Sequence, residues 1–361
     1  MKLLWLAHRD PLHPRAGGAE RSISEIGCRL SNTGHEITVL AAGWKGCKKT
    51  EVFGGFNIRR FGNSLSLHLY VPLFILKYQP DIIVNDVGHA VPWPSSIYLR
   101  KRGIVYFRHL HARSLPGQVS RPLAILITAV ERTYFIIYRN YNFITESTTS
   151  ADDLRKIGIR SSHIVRIPPG VDISIYRRSL KTESPTFVYF AGMRKYKRPD
   201  EAVKIFIKLR EEIPEAMLTI IGSGPELTEV KKLVEANHLY DSVTFTGRIP
   251  DEKLEEIVSS SWVNFHTSQT EGWGLSILEA SASGTPTVAY SVPGVVDTVE
   301  DGVNGFKVRD NDIEAFVDAV LRILKNPQPL WESSRKVAEK YSWDDTAKKW
   351  DEVIRNVIGN Q

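Results

Sequence analysis

The sequence predicts an α/β protein built from two doubly wound, Rossmann-like domains. Three observations carry this. The chain is 361 residues long, which suits two domains of about 150–200 residues better than one. An alternation of short apolar strands and amphipathic helices begins at Lys2 and starts again at Phe187, the pattern of parallel sheets covered on both faces. Between the two runs stands Pro168-Pro169-Gly170, a semi-rigid joint. The expected division is therefore residues 1–167, residues 168–341 and a last helix within 342–361.

The first run reads as follows. Lys2–Ala7 is a buried strand, followed by the loop His8–Gly18 and a helix over Ala19–Leu30. Glu36–Ala41 is the next strand, then Asn57–Phe61 and Asp81–Asn85, with a helix over Ser64–Tyr78 that Pro72 should kink or end. A helix is expected over Pro92–Lys101, ending in the cations Arg100-Lys101-Arg102. Gly103–Arg108 is a strand with His109 at its C-terminal end, where open α/β sheets place ligands. Pro122–Tyr138 is apolar and broken at Glu131-Arg132-Thr133. Burial in the first domain is the simpler reading; the alternative is an amphipathic surface on a bilayer, with Arg113, Arg121, Arg132 and Arg139 near it. Tyr141–Thr145 and His163–Ile167 are strands, separated by a short helix capped by Ser150 and ending near Gly158.

The second run has strands at Phe187–Ala191, Met217–Ile221, Ser242–Thr246, Trp262–His266 and Thr287–Tyr290. Helices are expected over Ile313–Leu324 and Trp343–Val357, the latter with Trp343, Ala347, Trp350 and Ile354 at helical spacing. Asp310-Asn311-Asp312 has a spacing that can hold a divalent ion, but it directly precedes a helix, and N-capping explains it better. No catalytic metal and no cofactor are expected.

Composition narrows the class. Charged residues make up 24% of the chain and apolar residues 42%, as in globular domains. Leu3–Ala7 is too short for a signal peptide, and no apolar run reaches the ~18–20 residues of a membrane span. Two cysteines, Cys28 and Cys47, make neither a disulfide framework nor a metal spacing, and a reducing cytoplasm fits them. The net charge of +6 is unevenly spread: residues 1–167 carry 23 Lys and Arg against 11 Asp and Glu, the remainder 24 against 30. The first half should meet something anionic, such as a membrane surface, a lipid phosphate or an acidic glycan. The basic half alone suggests nucleic acid, but no recognised module supports that partner.

The densest chemistry lies in Thr270–Pro286, where a tight loop feeds a short helix. Gly272 and Gly274 let backbone approach a ligand, and a helix opening from such a loop offers free amides and a partial positive charge to a phosphate. Glu271 sits in the loop. Glu279 stands about five residues past the helix start, roughly 7 Å along the axis at ~1.5 Å per residue, about the reach from a diphosphate to a ribose diol.

Glu271 and Glu279, with Gly-Trp-Gly between them and Gly-Thr-Pro after, resemble the Glu-x7-Glu donor signature of family 4 of the retaining glycosyltransferases, which have the GT-B fold. The family usually has Phe where Trp273 stands and Pro where Ser276 stands. The resemblance implies two domains facing across a cleft, a nucleotide diphosphate sugar as donor, a hydroxyl on a glycan or lipid-linked acceptor, retained anomeric configuration, and a final helix crossing back to the first domain. It implies roles residue by residue. Glu279 holds the ribose and Glu271 contacts the sugar. Gly272, Trp273, Gly274 and Leu275 form the donor loop. Lys197 neutralises the diphosphate. The family's arginine falls by spacing on Gly192, and Arg194 supplies the charge from two residues on. Arg248 and Ile249 lie in the segment whose backbone meets the base. Gly17 and Gly18 match the glycine loop facing sugar and acceptor. His109 best matches the histidine that contacts the sugar, with His111 as the alternative. Two other functions are compatible with the same residues: a nucleotide-sugar epimerase, and a sugar-nucleotide-binding protein without catalysis.

Overall fold

The computed structural model describes residues 1–88, 91–97, 103–115, 119–177 and 179–359. It divides into two units: residues 1–170 with 343–361, and residues 171–342.

In unit 1 the strands are β1 (Lys2–Leu6), β2 (Glu36–Ala41), β3 (Thr50–Phe53), β4 (Phe56–Arg60), β5 (Ile82–Asp86), β6 (Gly103–Phe107), β7 (Asn142–Thr145) and β8 (Ile164–Arg166). Among the described residues they form one sheet in the order β3-β4-β2-β1-β5-β6-β7-β8. All neighbours are parallel except the β3–β4 hairpin. β1, β5 and β6 are buried almost throughout, as parallel strands with helices on both faces must be. The helices are α1 (Gly18–Asn32), α2 (Ser64–Tyr78), α3 (Arg121–Glu131), α4 (Tyr134–Ile137) and α5 (Thr148–Lys156). α2 and α4 pack on Leu4, Leu6, Ile83, Val105, Phe107 and Phe143.

Four expectations change here. α2 runs through Pro72, because Leu67, Val71, Phe74 and Ile75 anchor the turns on either side, which outweighs the ~3 kcal/mol cost of an interior proline. α5 is capped by Ser147, whose side chain accepts from the Ser150 amide at 3.1 Å, so Ser150 lies inside the helix. The Pro92–Lys101 helix is replaced, where described, by a single 3₁₀ turn at Pro94–Ile97; Arg100-Lys101-Arg102 lies outside the described residues. The expected burial of Pro122–Tyr138 holds for Tyr134 and Tyr138 but is overturned for much of the segment: Leu123, Ile125, Leu126, Phe135 and Ile136 are exposed. α3 is apolar nearly all round, so periodicity could not orient it. Its one carboxylate does. Glu131 turns inward and accepts from the amides of His111 at 2.6 Å and Ala112 at 3.1 Å, which leaves the leucine and isoleucine face outside. The side chain of Arg113 lies outside the description.

Unit 2 has β9 (Thr186–Phe190), β10 (Met217–Ile221), β11 (Val243–Gly247), β12 (Val263–His266), β13 (Thr287–Tyr290) and β14 (Gly305–Val308). Their order is β11-β10-β9-β12-β13-β14, all parallel. Its helices are α6 (Pro199–Glu212), α7 (Leu227–Ala236), α8 (Asp251–Ser260), α9 (Leu275–Ala282), α10 (Val295–Thr298), α11 (Ile313–Lys325) and α12 (Gln328–Ala338). One face of the sheet packs on α6, α7 and α11; Val188, Phe190 and Ile221 on the other face meet α8 and Ala280 of α9. Asp312 caps α11, accepting from Ala315 N at 3.0 Å, and Asp310 pairs with Arg198 at 2.6 Å.

α13 (Trp343–Gly359) belongs to unit 1. Trp350 stacks on Trp5 of β1 with centroids 5.1 Å apart, and Asp351 meets His35 at 2.7 Å. The tryptophan spacing legible in the sequence is thus the seam that ties the last helix to the first strand.

Candidate active site

The strand order of unit 2 reverses between β9 and β12: the chain runs from β9 outward to β11, returns to β12 and proceeds the other way. Ligands bind open α/β sheets beyond the C-terminal strand ends at such a switch point. Two loops leave there, Ala191–Arg198 after β9 and Thr267–Gly274 after β12. They carry Lys197 and Glu271.

Each loop is fixed by its own bonds. The Lys197 carbonyl accepts from Tyr189 Oη at 3.1 Å and Thr267 Oγ1 at 3.0 Å, so the lysine backbone is held by the start of the other loop. Gln269 N donates to Tyr196 O at 2.7 Å. Glu271 N donates to Pro293 O at 3.0 Å. Gly294, at φ +82°, passes so close that a Cβ there would lie 2.4 Å from the Glu271 carbonyl; only glycine fits both the conformation and the space.

The side chains converge. Lys197 Nζ donates to Glu271 Oε1, and His266 Nε2, at the end of β12, lies 3.2 Å from the same oxygen. Burial alone would raise the Glu271 carboxyl, but Lys197 and His266 hold it well below the usual carboxylate range. Burial likewise opposes the Lys197 ammonium, and Glu271 more than compensates, leaving its proton held more tightly than in water. Arg194 is exposed, makes no ion pair among the described residues, and works electrostatically against Lys197. A Cβ on Gly192 would meet nothing within 4 Å. A side chain could stand there, and the arginine in this loop stands two residues on, at Arg194.

After Glu271 the chain turns into α9. Gly274 is its left-handed N-cap, at φ +96°, a conformation that costs most residues 1–2 kcal/mol. Trp273 is buried against Tyr341, centroids 5.3 Å apart, and its carbonyl accepts from Thr298 Oγ1. The amides at the mouth of α9 therefore open from a pinned loop. Glu279, one turn beyond Leu275, is buried. Gly272 lies between Glu271 and Trp273. Arg248 is exposed and Ile249 half-buried after β11, at the edge of the sheet and two strands from β9; Ile249 packs on the cluster around Ile221 and Val258.

Unit 1 has its own cluster at the strand ends. Gly17 is the N-cap of α1, and its amide donates to Glu20 Oε2 at 2.7 Å; Gly18 is the first helical residue. His109 follows β6, half-buried, its ring 5.4 Å from that of His111. His111 Nδ1 meets Glu131 at 2.9 Å, which marks it as a strut for the 3₁₀ turn it occupies. Between Gly18 and His109 stands a residue that sequence reasoning passed over. Arg108 is buried and donates to Asp86 at 3.0 Å, Glu146 at 2.8 Å and the Ala19 carbonyl at 3.0 Å. It ties the glycine loop to the strand end of His109. His266 was missed as well, though a histidine closing the strand before the glycine loop was a usable signal. Arg108 offered none, because its partners lie 22, 38 and 89 residues away.

Comparisons with known proteins place this geometry. Residues 173–345 match the profile of the glycosyl transferases group 1, and residues 16–175 that of glycosyltransferase family 4. The chain is 22% identical to N-acetyl-alpha-D-glucosaminyl L-malate synthase of Bacillus anthracis over 96% of each sequence. It is 30% identical, over 60% of its length, to poly(glycerol-phosphate) alpha-glucosyltransferase of Bacillus subtilis (strain 168), of which the match spans 32%. Among solved structures, sucrose-phosphate synthase from Thermosynechococcus elongatus superposes with a TM-score of 0.84 over 99% of both chains at 21% identity, which is agreement of fold.

Proposed function

The chain belongs to family 4 of the glycosyltransferases, with the GT-B fold, and from that premise we propose that it moves a hexose-type sugar from a nucleotide diphosphate sugar to an acceptor hydroxyl with retention. The observation that carries the proposal is the junction of Lys197, Glu271 and the α9 mouth at the switch point of unit 2. Lys197 and Arg194 exceed Glu271 in charge there, next to a helix N-terminus. That surplus suits a diphosphate whose negative charge grows as the sugar departs.

On this reading the C1–oxygen bond to the diphosphate breaks as the acceptor oxygen bonds C1 from the same face. The departing phosphate oxygen takes the acceptor proton, so no protein nucleophile is required. Lys197, with Arg194, meets the developing charge. Glu271 holds Lys197 and contacts the sugar. Glu279 accepts from the ribose hydroxyls, and the backbone at Arg248 and Ile249 meets the base. His109 is the sugar contact from unit 1. The cations and amides supply the positive charge a metal would bring, and turnover should be unchanged by a chelator.

A panel of nucleotide sugars assayed for slow hydrolysis tests the donor assignment without an acceptor. Hydrolysis of one donor, with the anomer of the first product retained by NMR, is the expected result. No hydrolysis of any donor would leave only a sugar-nucleotide-binding protein. Free nucleoside diphosphate with an epimerised sugar would mean an epimerase, a reading the family does not favour.

We further propose a lipid-linked or anionic glycan acceptor, reached from the inner face of a membrane in a reducing cytoplasm. Among the described residues no helix is long and apolar enough to cross a membrane. Support comes from the basic first half, the two free cysteines, and the exposed faces of α3 and of α2, where Leu65, Leu69, Leu73 and Leu76 form a solvent-facing stripe.

A further inference from the structure

At the end of the unit 1 sheet opposite His109, a groove opens where β7 and β8 begin. It encloses about 230 Å³. Tyr138 and Phe143 form its floor, and Arg139, Arg160 and His163 stand along it. Among the described residues no carboxylate lines it. Arg139 and Arg160 are exposed, and among the described residues neither they nor His163 makes an ion pair. Several other arginines of unit 1 are taken up by acids: Arg60 by Asp10 and Glu51, Arg155 by Asp152, Arg29 by Glu25.

The groove adjoins the apolar ridge of α3 and α4. Phe135 belongs to both, lining the groove while its ring packs beside Gly158. From Phe135 the ridge continues through Ile136, Leu126 and Ile125, which are 59%, 60% and 71% exposed. The sole acid on the ridge, Glu131, is turned inward. An apolar strip that ends in a carboxylate-free cationic groove is complementary to an amphiphile with an anionic head. A soluble phosphate ester would use the groove and leave the strip exposed; a phospholipid in a bilayer uses both.

We propose that this groove binds the phosphate headgroup of an anionic phospholipid, with α3 and α4 lying in the bilayer interface. The inference rests on the reading that unit 1 meets an anionic membrane, and it specifies where. The groove lies at the N-terminal strand ends, away from Gly18 and His109, so headgroup binding does not compete for the strand ends where the sugar contact is assigned.

The test uses the full chain, sedimented with phosphatidylglycerol or phosphatidylcholine vesicles at low and high salt. Three double variants are compared with the parent: Arg139→Glu/Arg160→Glu in the groove, Ile125→Asp/Leu126→Asp on the ridge and Leu69→Asp/Leu73→Asp on α2. All replace exposed side chains, and thermal melting with donor hydrolysis in solution reports that each is folded. The parent should bind phosphatidylglycerol vesicles, less at high salt. The groove and ridge variants should lose binding about tenfold or more, the α2 variant should bind within twofold of the parent, and hydrolysis should be unchanged in all. Parental binding by the groove variant, or loss confined to the α2 variant, overturns the groove assignment while leaving membrane association standing. Full displacement by inorganic phosphate at matched concentration would make the groove a soluble-anion site and overturn the lipid assignment. A parent that binds no vesicles sinks both membrane readings. Groove-dependent binding without hydrolysis sustains this inference and removes the transfer reaction instead.

Discussion

Two buried ion clusters stand at C-terminal strand ends, one in each unit, and they are built to opposite balances. Around Arg108 in unit 1, two carboxylates, two hydroxyls and a carbonyl close on a single guanidinium. Its Nη1 and Nη2 donate to these partners, while Nε is buried without one among the described residues. Around Glu271 in unit 2, one carboxylate faces Lys197 and His266, Arg194 of the same loop as Lys197 makes no ion pair among the described residues, and the amides of α9 open after Glu271. The first cluster is a strut, and the second, on the proposed reading, keeps positive charge for the donor diphosphate. Burial is similar in the two places; what differs is the charge balance, two carboxylates on one cation around Arg108 and one carboxylate shared by Lys197 and His266 around Glu271.

That contrast can be broken by substitution. Arg108→Met should have the largest effect. It leaves Asp86 and Glu146 uncompensated, so stability in denaturant should fall by about 3–5 kcal/mol, while affinity of unit 2 for a nucleoside diphosphate stays within twofold. Loss of affinity with unchanged stability would make Arg108 a ligand contact. Lys197→Ala should do the reverse, lowering turnover about 10²–10³-fold with a small change in melting temperature. Equal loss of both would make Lys197 a second strut.

Glu279→Ala should weaken binding of the bare nucleoside diphosphate by about tenfold, the scale of a lost hydrogen bond to a charged group, as read by calorimetry. Unchanged affinity would overturn the ribose assignment. The smallest effect concerns pH. Glu271 has a depressed carboxyl, so its contribution to stability is complete above its ordinary value of 4.5 and is lost only as pH falls below that. Lys197 is raised, so its contribution is complete below 10.5 and lost only above. The melting-temperature gap between the parent and Glu271→Gln should therefore be flat from pH 6 to 9 and narrow below about pH 4. A gap that varies within the flat window would assign the linkage to another group.

Much of this was legible beforehand. Parallel strands buried on both faces show as continuous apolar runs, and a helix mouth before a glycine loop is a local feature. Lys197, Glu271 and the α9 turn could therefore be found by position along the chain. The seam of Trp343, Ala347, Trp350 and Ile354 was legible too, because one helix face is written in a few consecutive turns. The outward face of α3 was not, since an all-apolar helix has no preferred side until Glu131 finds the His111 and Ala112 amides.

By itself, then, the amino-acid sequence determined two α/β domains, the family, and the loop to which the donor chemistry is assigned, because each depends on contacts between residues near in the chain. Only the tertiary structure decided that His266 joins Lys197 on Glu271, that Arg108 meets two buried carboxylates while Arg194 makes no ion pair among the described residues, and that an apolar helix faces outward beside a cationic groove. Those outcomes depend on which distant groups meet once the sheets close. Burial makes each such meeting either a satisfied bond or a charge left to act.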